Sequence, residues 1–468
     1  MKVAIDEILD ARRGSWLQLT VIALMTAVTV LDGLDMQLLP LSAPLILSEW
    51  GITKLAFSPA MGGALMGMAV GTVMGGYIGD RFGRRRTLVG AVGFFGLATL
   101  ACALARAPLE LTVLRVISGI GFGASFPSGT AVVAEWMPRR WIAKAVGTVF
   151  VGVSVGFAIG GQLAIETLPH WGWRGSFACG GVLAVMLSLV LTWKLPESPS
   201  WLAKRGYPSE LIRSLLKRAW PKETFSEATE FIASASTDTA SVGSSKILKA
   251  ENVRVNFGLW LAFFMNMLAG FALSSWSPVI LTALGASVTT ALAGSTYYGL
   301  ATMAGTLGAG LAGSRLGTRS VMMWLAAAAA LAALAISTEA FVDLEQLRRA
   351  PAVLVAGIAF MGGCIAGLQT LLWVLAANAY STECRATGVA VAAGIGRVGA
   401  IVSSVGAGAF LSFLPDGYFF VCMAFAFGLV GLGMSAVDRH LSADTPAGEN
   451  LPDRSSLAPT TAVTARKV

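Results

Sequence analysis

Charge is what this sequence has least of. Only 13% of its 468 residues are Asp, Glu, Lys or Arg, against 55% hydrophobic, and the mean hydropathy is +0.71. A water-soluble domain carries about 25% charged residues, so a chain this poor in charge is excluded from that class and must be solvated by lipid. Histidine is nearly missing as well. His170 and His440 are the only two, and both fall outside the long apolar runs, which leaves carboxylates as the candidate proton carriers inside the membrane. The five cysteines, Cys102, Cys179, Cys364, Cys384 and Cys422, stand singly, with no spacing for a disulfide framework or a metal site. They read as small packing residues. No nucleophile–base set falls in the apolar runs, so no enzyme, metal or cofactor is expected. No small-residue cleavage site precedes the first run, so the first span is expected to be retained. The net charge of +8 sits in short blocks between apolar runs, the pattern of membrane topology and not of nucleic-acid binding.

What the chain does have is apolar length. Runs fall near residues 16–40, 58–78, 87–105, 109–131, 142–164 and 174–193, and again near 256–282, 292–313, 320–338, 351–377, 387–412 and 417–437. A helix needs about 20 apolar residues to cross about 30 Å of hydrocarbon, so these runs predict an all-α polytopic membrane protein with twelve transmembrane helices. A polar stretch near 195–253 parts them into two six-helix bundles and holds an amphipathic helix around Glu210–Trp220 and a Ser/Thr-rich linker from Ser234 to Ser245. The expected domains are 1–193, a central loop 194–255, 256–437, and a tail 438–468. Arg81, Arg84, Arg85, Arg86, Arg139, Arg140, Lys144, Lys204, Arg205, Arg213, Lys217 and Arg218 all lie on one side if the spans alternate. By the positive-inside rule that side, with both termini, is cytoplasmic. The opposite loops hold few basic residues, and Arg348 and Arg349, near Asp343 and Glu345, are the clearest exception.

A motif repeats between the halves. Gly76-Tyr-Ile-Gly-Asp80-Arg81-Phe-Gly83-Arg84-Arg85 follows the second run, and Gly310-Leu-Ala-Gly-Ser314-Arg315-Leu-Gly317-Thr318-Arg319 follows the eighth. The first copy resembles the signature loop of the major facilitator superfamily, whose members are built from six-span repeats. The resemblance implies a cytoplasmic gate formed by Gly76, Asp80, Arg81, Gly83, Arg84 and Arg85, in which arginines bond carboxylates or helix C-terminal carbonyls of a neighbouring bundle. The plainer alternative is a tight basic turn that only enforces topology. Ser314 replaces the carboxylate in the second copy, so a matching gate there should be weaker.

Ionisable residues within spans are costly and point to function. Leu31-Asp32-Gly33-Leu34-Asp35 places two carboxylates on one helical face of the first span, Arg115 lies in the fourth and Arg397 in the eleventh. Counting at 1.5 Å per residue puts Asp32 and Arg115 at similar depth, roughly 6 to 8 Å from the midplane, and predicts that they pair, with Asp35 one turn nearer the periplasm. Burial favours the neutral form of a carboxyl and a nearby guanidinium its ionised form, so Asp32 and Asp35 are candidate proton carriers. Each proton moved down ~100 mV contributes about 2.3 kcal/mol. A static Asp–Arg pair that fixes helix packing is the alternative. Arg115, followed by Gly119, Gly121 and Gly123 on close-packing spacing, could neutralise an aspartate or a substrate carboxylate, and Arg397 is an equal candidate anchor.

The Asp-Gly-x-Asp of span one, Gly367-Leu-Gln369 to Leu375-Ala-Ala-Asn378, Tyr380 to Gly388 and Gly394-Ile-Gly-Arg397 together resemble the aromatic acid:proton symporter family. That resemblance implies a bacterial inner-membrane importer of hydroxybenzoate- or vanillate-like acids, with Asp32 and Asp35 as the paired aspartates needed for transport; its expected partners are that acid, protons and the lipid bilayer, with no nucleic acid, and a monomer is expected. In Gly152-x-x-x-Gly156-Phe157-Ala-Ile-Gly160-Gly161, Phe157 stands where drug/proton antiporters carry proline, which counts against an exporter. Trp276, Tyr297, Tyr298, Gln369, Trp373 and Asn378 are candidates for an aromatic-acid site, although Trp and Tyr also gather at lipid interfaces. The competing functions are carriage of another organic acid or a sugar acid, or drug export. A sensor would need an output domain, for which residues 1–14 and 438–468 are too short and polar.

Overall fold

A computed structural model describes residues 2–12, 14–221, 229–232, 250–342, 351–380, 384–415 and 417–438. The Ser234–Ser245 linker, Asp343, Glu345, Arg348, Arg349 and the tail beyond residue 438 lie outside the described residues. The first half begins with strand β1 (Lys2–Ala4) and helix α1 (Ile5–Ala11), then the long helices α2 (Trp16–Trp50), α3 (Lys54–Phe82), α4 (Arg84–Cys102), α5 (Pro108–Trp136) and α6 (Arg139–Lys194). At 56 residues α6 is far too long for one crossing. Gly172, with φ 62° and ψ −171°, breaks it into two limbs that correspond to the fifth and sixth apolar runs. Short helices α7 (Pro199–Lys204) and α8 (Ser209–Ala219) and strand β2 (Glu230–Ile232) follow. The second half holds α9 (Ala250–Ala283), α10 (Val288–Leu316), α11 (Thr318–Val342), α12 (Pro351–Ala379), α13 (Arg385–Phe413) and α14 (Gly417–Ala436). With α6 counted as two, twelve spans form two six-helix bundles.

Glycine sets the close contacts within the first bundle. A Cβ at Gly67, Gly71 or Gly75 of α3 would overlap the backbone of α5, and one at Gly119 or Gly123 of α5 would overlap that of α3. Without side chains at these points the two backbones touch, which is how helices associate where lipid removes the hydrophobic drive. The repeated motif is a repeated turn. Gly83 (φ 102°, ψ 150°) and Gly317 (φ 82°, ψ 146°) hold the same backbone conformation between α3 and α4 and between α10 and α11, a region of φ that favours glycine.

One element departs from the all-helical expectation. β1 pairs in parallel with β2, Val3 opposite Phe231, and Ile5, Ile8, Leu9, Trp201, Leu202, Ile212, Leu216 and Phe231 bury one another in a satellite core at the basic end. The N-terminal segment that reads as a polar tail carries an apolar face that is covered by the central segment. Asp10 anchors it by accepting from the Arg139 backbone N–H at 2.7 Å.

The two bundles meet at the end opposite the basic turns. There α3 runs beside α13, where Lys54 Nζ donates to the Leu411 carbonyl at 3.4 Å and a Cβ at Gly62 would overlap Val405. The first limb of α6 runs beside α10, where a Cβ at Gly161 would lie 2.5 Å from Thr296 Oγ1 and one at Gly299 2.5 Å from Ala158 N. Towards the basic end the same helices carry Gly76, Gly147, Gly310 and Gly394, none with an atom within 4 Å of where its Cβ would be. The halves are closed at one end and parted at the other.

Candidate functional site

Beneath the closed end a cavity of about 560 Å³, space open to solvent included, lies between the bundles. Its polar lining is Asp32, Asp35, Arg115, Ser274 and Ser275, and its apolar lining includes Phe122, Phe157 and Phe271. Arg115 is 3% exposed, and its Nη1 donates to both oxygens of Asp35 at 3.0 Å. Thr99 Oγ1 lies 3.4 Å from Asp35 Oδ1. Asp32 is buried one turn away, with no hydrogen-bond or ion-pair partner among the described residues.

The pairing expected from depth alone, Asp32 with Arg115, is corrected to Asp35 with Arg115. Counting along straight helices ignores the direction of side chains, which lean toward the N-terminus of their own helix. On α5 that lean carries the long Arg115 side chain toward the closed end, where it meets the aspartate one turn further along α2. Gly33 explains the spacing of the motif. A Cβ there would overlap the Val153 carbonyl of α6, and Gly156 of α6 packs back on Val30 and Gly33. The glycine face of α2 lies on α6 while both aspartates turn to the cavity.

The aromatic candidates of the second half scatter. Trp276 is fully enclosed and donates from Nε1 to the Ser404 carbonyl at 3.0 Å, tying α9 to α13; it does not line this cavity. Tyr298 is buried against Phe157 across the bundle interface, with ring centroids 6.0 Å apart, while Tyr297 is exposed. Trp373 packs edge-on against Phe263 at 5.3 Å. Asn378 bonds its own helix at the Val374 carbonyl. Gln369 accepts from Asn266 Nδ2 at 2.9 Å, joining α12 to α9. Arg397 is half-buried, with its guanidinium 5.9 Å from the centre of the Phe126 ring on the first bundle.

Sequence reasoning passed over Asn266, Thr99, Ser274, Ser275 and the cavity phenylalanines. Asn266 carried the clearest signal, an amide in the middle of an apolar run, of the same kind that marks Gln369 and Asn378. Glu135 was missed because the fourth span was ended at residue 131, one turn too early.

At the basic end Arg84 Nη2 holds Asp80 Oδ1 at 2.7 Å and its Nε lies 3.5 Å from Glu135 Oε1 of α5. Trp201 Nε1 and Arg205 Nη2 both donate to the Asp80 carbonyl, at 3.0 and 2.9 Å. Glu197 accepts the Arg85 backbone N–H at 3.0 Å, and a Cβ at Gly83 would lie 2.6 Å from its other oxygen. Arg81 is exposed, over the Phe82 ring. These contacts all fall on helices of the first bundle and on the central segment at α7, so none of them bridges to the second bundle.

Two six-helix bundles sharing one turn, meeting at one end over a buried carboxylate–guanidinium cluster, define a polytopic membrane carrier. A sequence profile of the Major Facilitator Superfamily matches residues 25–404. The chain is 35% identical over 411 residues to a gallate transporter of Pseudomonas putida, covering 88% of this chain and 89% of that one. It is 34% identical to the 4-hydroxybenzoate transporter PcaK of Pseudomonas putida, covering 83% and 85%. An inward-open structure of the xylose transporter XylE from E. coli superposes with a TM-score of 0.71 at 17% identity, covering 92% of this chain and 98% of that one, and shows the fold alone. The chain belongs to the Major Facilitator Superfamily, in the branch that holds these gallate and 4-hydroxybenzoate transporters, and its family is one of transporters and not of enzymes.

Proposed function

We propose that the chain imports small aromatic carboxylates together with protons by alternating access, as a single chain in a bacterial inner membrane, with its basic end and both termini cytoplasmic. The names of the relatives support the substrate class. The observation that carries the coupling is Asp32, a buried carboxyl facing the cavity beside a carboxylate that already holds the only guanidinium in the cluster. With both aspartates ionised the cluster bears one net negative charge. A substrate anion would add a second, and moving two uncompensated charges through low dielectric is costly. One proton on Asp32 keeps the net charge of the loaded site equal to that of the empty one, so anion and proton cross together. Arg115, exchanging Asp35 for the substrate carboxylate, and Phe122, Phe157 and Phe271 would bind the two ends of such a molecule. The rocking bodies are residues 1–193 and 256–437, and Arg84, with Asp80 and Glu135, forms the first half of the cytoplasmic gate, closed when the cavity opens outward.

Uptake of labelled gallate and 4-hydroxybenzoate into cells making wild type or Asp32→Asn, with and without a protonophore, tests this. Uptake that collapses with the protonophore and is lost in Asp32→Asn is expected. Wild-type uptake indifferent to the protonophore sinks the coupling, and no uptake of any aromatic acid sinks the substrate class.

A further inference from the structure

We propose that Asn266 of α9 and Gln369 of α12 form a subsite that reads a ring hydroxyl of the transported acid; this rests on aromatic carboxylates being the substrate class. Asn266 is wholly enclosed. Its Nδ2 donates to the Ile365 carbonyl at 3.3 Å and to Gln369 Oε1 at 2.9 Å. A backbone carbonyl only accepts, so the nitrogen of Asn266 must face it, and that choice orients both amides. Two atoms are then left buried without a partner among the described residues, Asn266 Oδ1 and Gln369 Nε2.

The orphans have opposite character, one acceptor and one donor, and burying either without a partner is costly. A hydroxyl carries both complements, a hydrogen to donate to Oδ1 and an oxygen to accept from Nε2. A carboxylate only accepts and is repelled by Oδ1, and a methyl group satisfies neither. The surroundings suit a ring. Phe263 lies three residues before Asn266 and Trp373 four residues after Gln369, each on the same helical strip as its amide, and the two rings pack edge to face across α9 and α12.

Ser274, beside the Asp35–Arg115 pair, lies eight residues along α9, about 12 Å from Asn266, longer than a single-ring acid. The subsite therefore serves a station nearer the basic end. Arg397 is the cation at that level. Gly396 packs on Met267 and the Phe263 carbonyl, and Arg397 has no hydrogen bond or ion pair among the described residues.

The test compares initial uptake of benzoate, 4-methylbenzoate and 4-hydroxybenzoate by wild type, Gln369→Met and Asn266→Leu. Benzoate uptake by wild type checks the substrate class on its own; if no acid enters, that reading has failed and takes the subsite with it. Wild type is expected to prefer the hydroxyl over the methyl compound by about tenfold, and each variant to bring that ratio near one while still carrying benzoate. The ratio is independent of how much protein reaches the membrane. A wild type that does not discriminate, or a transporting variant that keeps the preference, overturns the subsite. Where a variant carries nothing, the thermal shift of purified protein by the same acids gives the corresponding ratio of affinities, and the same two outcomes decide.

Discussion

Gly76, Gly147, Gly310 and Gly394, with empty space in front of them, carry a prediction about the half of the cycle that is not in view. Gly62 of α3 abuts Val405 of α13, Gly408 of α13 abuts Ser58 of α3, Gly161 of α6 abuts Thr296 of α10 and Gly299 of α10 abuts Ala158 of α6. Each has a counterpart on its own helix, about four turns away for Gly76, Gly394 and Gly147 and about three for Gly310, hence on the same face. The counterparts sit at the parted basic end. Rocking that parts the closed end brings α3 to α13 and α6 to α10 at the other, and by the pseudo-symmetry of the halves these glycines become the points of contact. Gly310→Val should leave the present conformation undisturbed, since nothing lies within 4 Å, and overpack the opposite one. Overpacking costs about 1 to 3 kcal/mol, which lowers the population of the basic-closed state roughly 5- to 150-fold. Uptake should fall within that range while thermal stability in detergent holds, and Ser275→Cys in the same background should stay accessible to a thiol reagent from the basic end. Gly308→Val is the internal control. Gly308 is equally open but lies about two and a half turns from Gly299, on the opposite face, and should transport normally. Wild-type uptake in Gly310→Val, or equal damage from both, refutes the reasoning.

Two further predictions concern the first-half cluster. Asp35→Asn leaves Arg115, which is 3% exposed, as an unpaired buried charge and should cost about 3 to 5 kcal/mol; Arg115→Gln added to it should recover much of the thermal stability and none of the transport. Gly33→Ala should lower stability by about 1 to 3 kcal/mol, because its Cβ overlaps the Val153 carbonyl of α6, whereas Gly90→Ala, with open space before it, should be silent in the same melting assay.

The twelve spans, the two halves and the repeated turn were legible because each rests on a local property of the chain. Apolar length alone defines a span, and Gly83 and Gly317 are read as one motif because the same positive φ requires glycine in both. The cluster of Asp32, Asp35 and Arg115 was legible as a cluster, since so few charges lie in the spans. Which aspartate takes the arginine was not, because it depends on the lean of a side chain and on how α2 and α5 sit against each other. The aromatic candidates fared least well for the same reason. Trp276 and Tyr297 are alike as polar-tipped rings in a span, yet one is sealed between α9 and α13 and the other stands exposed, a difference set by the rotational position of the helix and not by residue type.

The asymmetry between the halves gives those placements a common logic. The first half holds the paired charges Asp35 and Arg115 and the contacts of Arg84 with Asp80 and Glu135, so both of these arginines are already bound to a carboxylate. The second half offers the reverse, a half-buried Arg397 that rests on an aromatic ring of the first half with no ion pair among the described residues and an amide pair with a donor and an acceptor unspent. An anion that enters such a path gains most where the chain has left charge and hydrogen bonds unmatched, and must displace Asp35 where it has not. On the function proposed above, exchange at Arg115 is the step that takes up a proton, and the second half is where the shape and substituents of the ring are distinguished without one. Substitutions of Asn266 and Gln369 should accordingly shift substrate selectivity and leave protonophore sensitivity intact, whereas substitutions of Asp32 and Asp35 should remove transport of every acid alike.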